Sequence, residues 1–126
     1  MTTALPALAL FAGLVAPVGP AAVVDVHDAA TLRTALGQVR PGDEIRTADG
    51  VYNGRFVLDV DGTAGAPITL TGSRGAVIDG GGTAGGRAVQ LEADHWRLVG
   101  FTVTNGQKGI MALGANHTVV DGVRVR

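Results

Sequence analysis

Short strand-like segments recur at a near-constant interval along the second half of this chain. The first kind begins with an apolar residue and repeats every 21 residues: Ile68–Leu70, Val89–Leu91 and Ile110–Ala112. The second kind ends in glycine and repeats at steps of 20 and 22 residues: Ala76–Gly80, Trp96–Gly100 and Thr118–Gly122. Several short strands in a period of roughly 20 residues are typical of a solenoid, whose coils stack at about 4.8 Å.

Apolar and polar residues alternate within these segments, and this alternation divides an inward face from an outward face. We expect the apolar members to lie inside the stack: Leu70, Leu91, Leu98, Phe101, Val103, Val120, Val123 and Val125. We expect the polar members to face outward: Arg97, Thr102, Thr104, Asp121, Arg124 and Arg126. No long helical pattern separates the strands, which excludes a chain of alternating strands and crossover helices.

One helix is predicted before the strands begin. Asp28 is a suitable N-cap, and the helical face that follows carries Leu32, Ala35, Leu36 and Val39. The pair Pro41–Gly42 ends the element. Because the ends of a solenoid need protection, we expect this helix to cover one end of the stack.

The N-terminus has the pattern of a secretory signal. Ala4–Val24 is 21 residues without a charge, Ala7–Val18 is an apolar stretch, and small residues follow at Gly19–Ala22. The pattern predicts a signal peptide over residues 1–22, a domain over residues 23–126, and a secreted, extracellular protein that has left the membrane. No Lys or Arg precedes the apolar stretch, so a membrane anchor and a buried helix remain alternatives.

Composition excludes several classes of protein. With 126 residues, 46% of them hydrophobic and 17% charged, the chain has enough apolar residues for one small folded domain and too few charges for a disordered one. The net charge of -1 and the single lysine, Lys108, give no basic face for a nucleic-acid partner. The absence of cysteine excludes disulfides and thiolate metal sites.

Four segments resemble a known family: Pro41–Ile45, Asp49–Tyr52, Gly62–Leu70 and Gly100–Ile110. They are similar to the N-terminal part of pectin-lyase-like β-helix proteins, in particular polysaccharide lyases of the chondroitinase B, alginate lyase and pectate lyase type. The resemblance runs from Val26 to Arg126. It implies an all-β fold, a right-handed single-stranded parallel β-helix with an N-terminal capping helix.

The resemblance also implies a function. Such enzymes cleave acidic, uronate-containing polysaccharides by β-elimination, in which a cation neutralises the carboxylate and a base removes the adjacent proton. The family's calcium ligands and its Lys or Arg base lie on middle coils, whereas about three coils precede Arg126. We therefore expect an N-terminal fragment that is inactive alone and has no catalytic, cofactor-binding or metal-binding residue. Calcium is expected only in a full-length homologous enzyme.

Two partners and one rival function follow from the same interpretation. The expected partners are an acidic polysaccharide and, through an open end of the β-helix, a second copy of the chain. The rival function is non-catalytic: a β-helix protein that binds carbohydrate or lies at the cell surface. Whether the full-length protein is an enzyme stays open at this point, because a fold alone does not decide it.

The acidic side chains of the sequence are scattered. Asp79 and Asp121 each precede a glycine, and stacking could bring them onto one face, but Asp-Gly is a common turn pair and a turn is the better interpretation. Asp59 and Asp61 precede Gly62, and we again expect a turn.

The remaining candidates have ordinary structural explanations beside functional ones. Asp94–His95 and His117 lie in bends, where histidine can shuttle protons but is more often a solvated turn residue. Lys108 is a candidate for contact with an acidic sugar or a surface turn residue, and Asn116–Thr118 matches a glycosylation acceptor. Trp96 is expected inside, in phase with Leu98. Gly80–Gly86 is glycine-rich without a phosphate-loop lysine, and we expect a flexible loop between coils.

Overall fold

The chain forms a parallel β-helix in the computed structural model, which describes residues 22–81, 88–105 and 109–126. Every pairing between its strands is parallel. In chain order the elements are β1 (Val23–Val26), α1 (Ala29–Leu36), β2 (Glu44–Thr47), β3 (Gly50–Asn53), β4 (Phe56–Leu58), β5 (Ile68–Gly72), β6 (Ala76–Asp79), β7 (Val89–Leu91), β8 (Trp96–Val99), β9 (Thr102–Thr104), β10 (Ile110–Ala112), β11 (Val119–Asp121) and β12 (Arg124–Val125).

The strands stack into three sheets, which are the three faces of the β-helix. The first sheet has the order β11-β8-β5-β2-β1, the second β12-β9-β6-β3, and the third β10-β7-β4. Each coil contributes one strand to each sheet, so β2 to β4, β5 to β7 and β8 to β10 are three complete coils. The strands β11 and β12 begin a fourth. The expected all-β parallel β-helix is confirmed.

The pairing of coils differs in one respect from the predicted repeat. Ile68 pairs with Trp96 and Val89 pairs with Ile110, so the segments at Ile68 and Val89 lie in different sheets. The predicted equivalence of these segments is therefore wrong, as is that of Ala76–Gly80 with Trp96–Gly100, since Val77 pairs with Thr102. The reason is loop length: nine residues join β4 to β5, but only four join β7 to β8. The predicted spacing holds for two steps: from Val89 to Ile110 in the third sheet, and from the segment at Trp96 to the segment at Thr118 in the first.

Apolar columns run through the interior along the stacking direction. By strand register, Ile45, Leu70, Leu98 and Val120 form one column, and the first three are fully buried. The expected interior positions of five residues are confirmed: Leu70, Leu91, Leu98, Phe101 and Val103.

Four predicted positions need correction. Val120 and Val125 are 53% and 55% exposed, because β11 and β12 are edge strands with no described strand stacked above them. Val123 is only partly buried against the core. Thr102, expected outside, is buried, and its hydroxyl donates to the carbonyl oxygen of Arg74 at 2.9 Å.

The helix α1, the one helix in the part of the chain that the structure describes, covers the first coil. It packs against β1, β3 and β4, and it buries Leu32, Ala35 and Leu36. As predicted, Asp28 is its N-cap, with Oδ1 accepting the Thr31 backbone N–H at 2.8 Å. The helix ends earlier than Pro41–Gly42, at a Gly37 C-cap, and Val39 is buried beyond it.

The predicted signal peptide, residues 1–22, lies outside the described residues except for its last residue. The described part begins at Ala22, and β1 starts directly after it. Among the described residues, no helix is long and apolar enough to cross a membrane.

Candidate functional site

A ladder of polar side chains runs along the bend between the third and first sheets. The backbone N–H of Asp94 donates to Asp61 Oδ1 at 2.8 Å, and the backbone N–H of Asn116 donates to Asp94 Oδ1 at 2.9 Å. We call Asp61, Asp94 and Asn116 the polar ladder. The three members lie on successive coils, and the carboxylates of Asp61 and Asp94 each satisfy a backbone N–H of the coil stacked on their own.

The polar ladder joins the coils through the main chain as well. The Gly62 N–H donates to the carbonyl oxygen of Asp94 at 2.9 Å, and the His95 N–H donates to that of Asn116 at 3.0 Å. Asp61 was predicted as a local turn residue, but its carboxylate bonds a residue 33 positions away. The sequence does contain a signal, namely a polar residue at the same bend of each coil. The signal was missed because the loops that contain this bend differ in length from coil to coil.

Two histidines stack directly beside this ladder. The rings of His95 and His117 lie 4.7 Å apart between centroids and are inclined by only 3°. Both residues have a positive φ, 60° and 56°, at the bend that follows Asp94 and Asn116. Gly62 precedes them in the same column, where a Cβ atom would lie 2.6 Å from the His95 carbonyl oxygen. The histidines are thus turn residues at a surface bend.

The outward face of the first sheet carries charged side chains in register. Glu44, Thr69 and Arg97 occupy equivalent positions on β2, β5 and β8. Arg46 Nε donates to Glu44 Oε2 at 2.7 Å, and this hydrogen bond raises the pKa of Arg46 above its ordinary value. Arg97 is exposed and makes no ion pair with any residue in the described ranges. One of the two cations is therefore open to a ligand.

A cleft of about 240 Å³ lies on this face, and we call it the outer cleft. It is lined by Gly42, Glu44, Gly65, Ala66, Pro67, Thr69 and Arg97. An isolated antiparallel bridge between Thr63 and Ala66 shapes the loop that forms one wall. A guanidinium, a hydroxyl and a carboxylate here converge on one opening, which suits a ligand rich in hydroxyl and carboxylate groups.

Asp79 and Asp121 do not share a face. Asp79 lies on the second sheet, in register with Asn53 and Thr104, whereas Asp121 lies on the first, in register with Val99. Asp79 Oδ1 accepts the Gly81 N–H at 2.9 Å, which agrees with a turn role. The conceivable cation site between these two carboxylates is excluded by their placement.

The other sequence candidates have defined positions, with two exceptions. Trp96 is fully buried, as predicted, and its Nε1–H donates to the carbonyl oxygen of Val60 at 2.7 Å. Asn116, in the glycosylation pattern, is part of the polar ladder. Lys108 lies outside the described residues, and so does most of Gly80–Gly86.

One buried carboxylate was not singled out by the sequence. Asp43 is buried between Gly42 and β2, and its Oδ2 accepts the Arg40 N–H at 2.9 Å. Its Oδ1 has no hydrogen-bond partner. Among residues 22–81, 88–105 and 109–126, no group of three or more His, Cys, Asp or Glu side chains is placed to hold a metal ion. Asp43 therefore fixes the turn before β2.

Comparison with solved structures identifies the class of β-helix. The chain is 33% identical to the alginate lyase from Paenibacillus sp. strain FPU-7, with a TM-score of 0.79 over 82% of this chain and 36% of that one. It also superposes on AlyGC, an alginate lyase of family PL6, with 22% identity and a TM-score of 0.63 over 82% of this chain and 15% of that one.

These likenesses support a polysaccharide lyase-like β-helix protein. The chain spans about a third of the length of the first of these structures and less than a sixth of the second. No family model matches the sequence, and no curated protein matches it.

Proposed function

We propose that this chain forms the cap and first coils of a secreted polysaccharide lyase-like protein that acts on acidic polysaccharide by β-elimination. The observation that carries the proposal is the likeness to the Paenibacillus alginate lyase over 82% of the chain. The outer cleft supports it, because Arg97 offers a free guanidinium to a uronate carboxylate and Thr69 offers a hydroxyl to the sugar. In this role the chain supplies scaffold and substrate contacts.

The chemistry itself needs groups beyond these contacts. β-Elimination requires a cation or metal on the uronate carboxylate and a base at the adjacent C–H. Arg97 is a suitable carboxylate partner, but among the described residues that line the outer cleft no histidine, lysine or tyrosine lies beside it to take the proton. We therefore predict that the 126-residue chain binds acidic oligosaccharide without cleaving it.

Ultraviolet detection of the unsaturated product tests this prediction. Alginate, pectate and chondroitin are incubated with the purified chain, with and without calcium, and binding is measured in parallel by calorimetry. We expect binding without product. Calcium-dependent product that disappears in Lys108→Ala would refute the prediction of inactivity, and absence of binding to all three polymers would refute the acidic substrate.

Secretion is a separate part of the proposal. Its support is the uncharged stretch Ala4–Val24, of which only the last two residues belong to β1. N-terminal sequencing of the exported protein should begin near Ala21 or Ala22. A protein that retains Met1 in the cytosol would contradict export.

The rival proposal is a non-catalytic β-helix protein that binds carbohydrate at the cell surface. It is favoured by the outer cleft, whose described lining offers a free cation without a histidine, lysine or tyrosine beside it. The protein encoded by the whole reading frame that contains this chain separates the two: release of unsaturated product from an acidic polymer supports the enzyme, and binding without product supports the rival.

Self-association is a further proposed property of the 126-residue chain. The strands β10, β11 and β12 are edges on which no described strand is stacked, and Val120 and Val125 are more than half exposed there. Such edges are templates for pairing with another chain. Sedimentation over a range of concentrations should show a dimer that Val120→Lys abolishes. A monomer at all concentrations would contradict it.

A further inference from the structure

A second pocket, which shares no lining residue with the outer cleft, lies where α1 meets the first coil. It has a volume of about 300 Å³ and is lined by Arg33, Leu36, Gly37, Arg55, Phe56, Val57 and Asp59. We call it the cap pocket. Its walls come from the last turn of α1 and from β4, an edge strand of the third sheet. Its charged groups are two guanidiniums and one carboxylate, so a net positive charge faces the opening.

Arg33 is held in place by contacts that do not include an ion pair in the described part of the chain. Its guanidinium carbon lies 4.7 Å from the centre of the Phe56 ring, and Nη2 donates to the carbonyl oxygen of Asn53 at 3.4 Å. A Cβ atom on Gly54 would lie 2.2 Å from that nitrogen, so the glycine leaves the space that this orientation needs. A guanidinium has five N–H donors, and most remain for a carboxylate in the pocket.

The backbone of β4 adds polar groups to the same opening. Phe56 and Leu58 direct their backbone groups toward the next coil. The Phe56 N–H donates to the carbonyl oxygen of Ala88, and the Leu58 carbonyl oxygen accepts the Glu92 N–H, both at 2.9 Å. Alternate residues of a strand direct their backbone groups to opposite sides. Val57 therefore directs its N–H and carbonyl toward the free edge, where no described strand lies and where it lines the pocket.

We propose that the cap pocket binds a carboxylate-bearing sugar residue, and this inference rests on the proposed acidic polysaccharide ligand. Arg33 and Arg55 receive the carboxylate, the Val57 backbone groups meet hydroxyls, and Leu36 provides an apolar floor. Neither arginine makes an ion pair in the described part of the chain, so a bound carboxylate breaks no ion pair there. Arg33, in the last helical turn, also offsets the negative end of the helix.

The test uses the 126-residue chain, an oligomeric uronate as ligand, and a neutral oligosaccharide and the free uronate monomer as comparisons. The decisive variant is Arg55→Gln, because Arg33→Gln also removes the contact with Phe56. Arg74→Gln is the matched control, since Arg74 is an equally exposed arginine on the turn before β6. Amide and guanidinium resonances locate the site by NMR, and calorimetry gives the affinity.

The expected result is a shift of the Val57 amide with the uronate oligomer and none with the neutral sugar. Arg55→Gln should weaken this binding roughly tenfold, about 1.4 kcal/mol, and Arg74→Gln should leave it within twofold. Monomer binding with the same shifts shows that a single carboxylate sugar suffices. Shifts confined to Arg46, Thr69 and Arg97 would overturn the cap pocket but keep the acidic ligand. Absence of binding anywhere would overturn both.

Discussion

The two ends of this β-helix differ in what lies against them. At the first coil, α1 packs on β1, β3 and β4, and the interior residues Ile45 and Tyr52 are fully buried. At the last strands, β11 and β12 carry residues of the same columns, yet Val120 and Val125 are more than half exposed. The same inward-pointing pattern thus gives a core at one end and a surface at the other.

The difference shows that position in the stack, rather than the residue's own strand, decides its burial. An inward side chain becomes core only when it is covered on both sides, by two coils or by a coil and the cap that α1 and β1 form. Stability in a solenoid is approximately a sum of interfaces between neighbouring repeats. Substitutions in one column should therefore have effects that depend on the coil.

The largest effect is expected in the middle of the column that contains Leu98 and Val120. Leu98→Ala removes a fully buried side chain between two coils and should lower the free energy of unfolding by about 2 to 4 kcal/mol. Val120→Ala, in the same column, should lower it by less than about 1 kcal/mol, because the side chain is already half exposed. Urea unfolding measures both. Equal losses would contradict the end-to-end difference.

The polar ladder should have the next largest effect. Asp94→Ala removes the acceptor of the Asn116 backbone N–H, and we expect a loss of about 1 to 2 kcal/mol. Asp94→Asn is the control, because an amide oxygen keeps the acceptor, and its cost should be well under half of that. Thermal unfolding compares the two. If alanine and asparagine cost the same, the ladder bond is not what stabilises this bend.

Tyr52 tests the capped end in isolation. Its buried hydroxyl lies 2.7 Å from the carbonyl oxygen of Ala48 and 3.1 Å from that of Val26, and these two acceptors share its single O–H donor. Tyr52→Phe should cost about 1 kcal/mol, the value of one such hydrogen bond, since Val26 still accepts the Ala48 N–H.

Burial, with Asp28 nearby, raises the pKa of Tyr52 above 10.0. The neutral phenol is thus favoured in the fold, so its contribution is complete below pH 10 and is lost as pH rises through the raised pKa. Tyr52 is the only tyrosine, so phenolate absorbance follows it directly. Titration at the ordinary pKa in the folded protein would contradict its burial.

The smallest effect is expected at the N-cap of α1. Hydrogen bonds from the Thr31 backbone and hydroxyl lower the pKa of Asp28 below 3.8. The ionised cap is therefore favoured in the fold, and its contribution is present above the unfolded pKa and lost as pH falls through the lowered one. Asp28→Ala should lower the melting temperature slightly at neutral pH and make no difference in strong acid. Asp28→Asn, an equally good cap, should retain most of the neutral-pH stability.

Much of this architecture follows from the sequence because alternation and capping are local properties. The N-cap at Asp28, the buried Trp96 and the interior Leu98 depend only on neighbouring residues, and they were predicted correctly. The register of the first coils depends on loops such as 59–67, whose length no alternation pattern fixes. The polar ladder was not predicted for the same reason. Asp61 and Asp94 are 33 residues apart in the sequence, whereas Asp94 and Asn116 are only 22 residues apart.

The site was less accessible to sequence reasoning than the fold. Arg97 was predicted to face outward, but its cleft requires Gly65–Pro67, which belong to the nine-residue connection between β4 and β5. The cap pocket requires Arg33 from a helix and Arg55 from a strand edge, brought together only by the docking of α1. Convergence of side chains from different elements is a property of packing, which the sequence pattern does not report.

Hydrogen exchange along the stacking direction tests the central claim most directly, namely that the chain is a stack of coils closed at one end by α1. The strands β8 and β9 have a paired strand on each side, whereas β10, β11 and β12 are edge strands among the described residues. At concentrations where the chain is monomeric, we predict strong protection in β2, β5 and β8 and fast exchange from β10 onward. Protection in β11 and β12 equal to that in β8 would contradict the account.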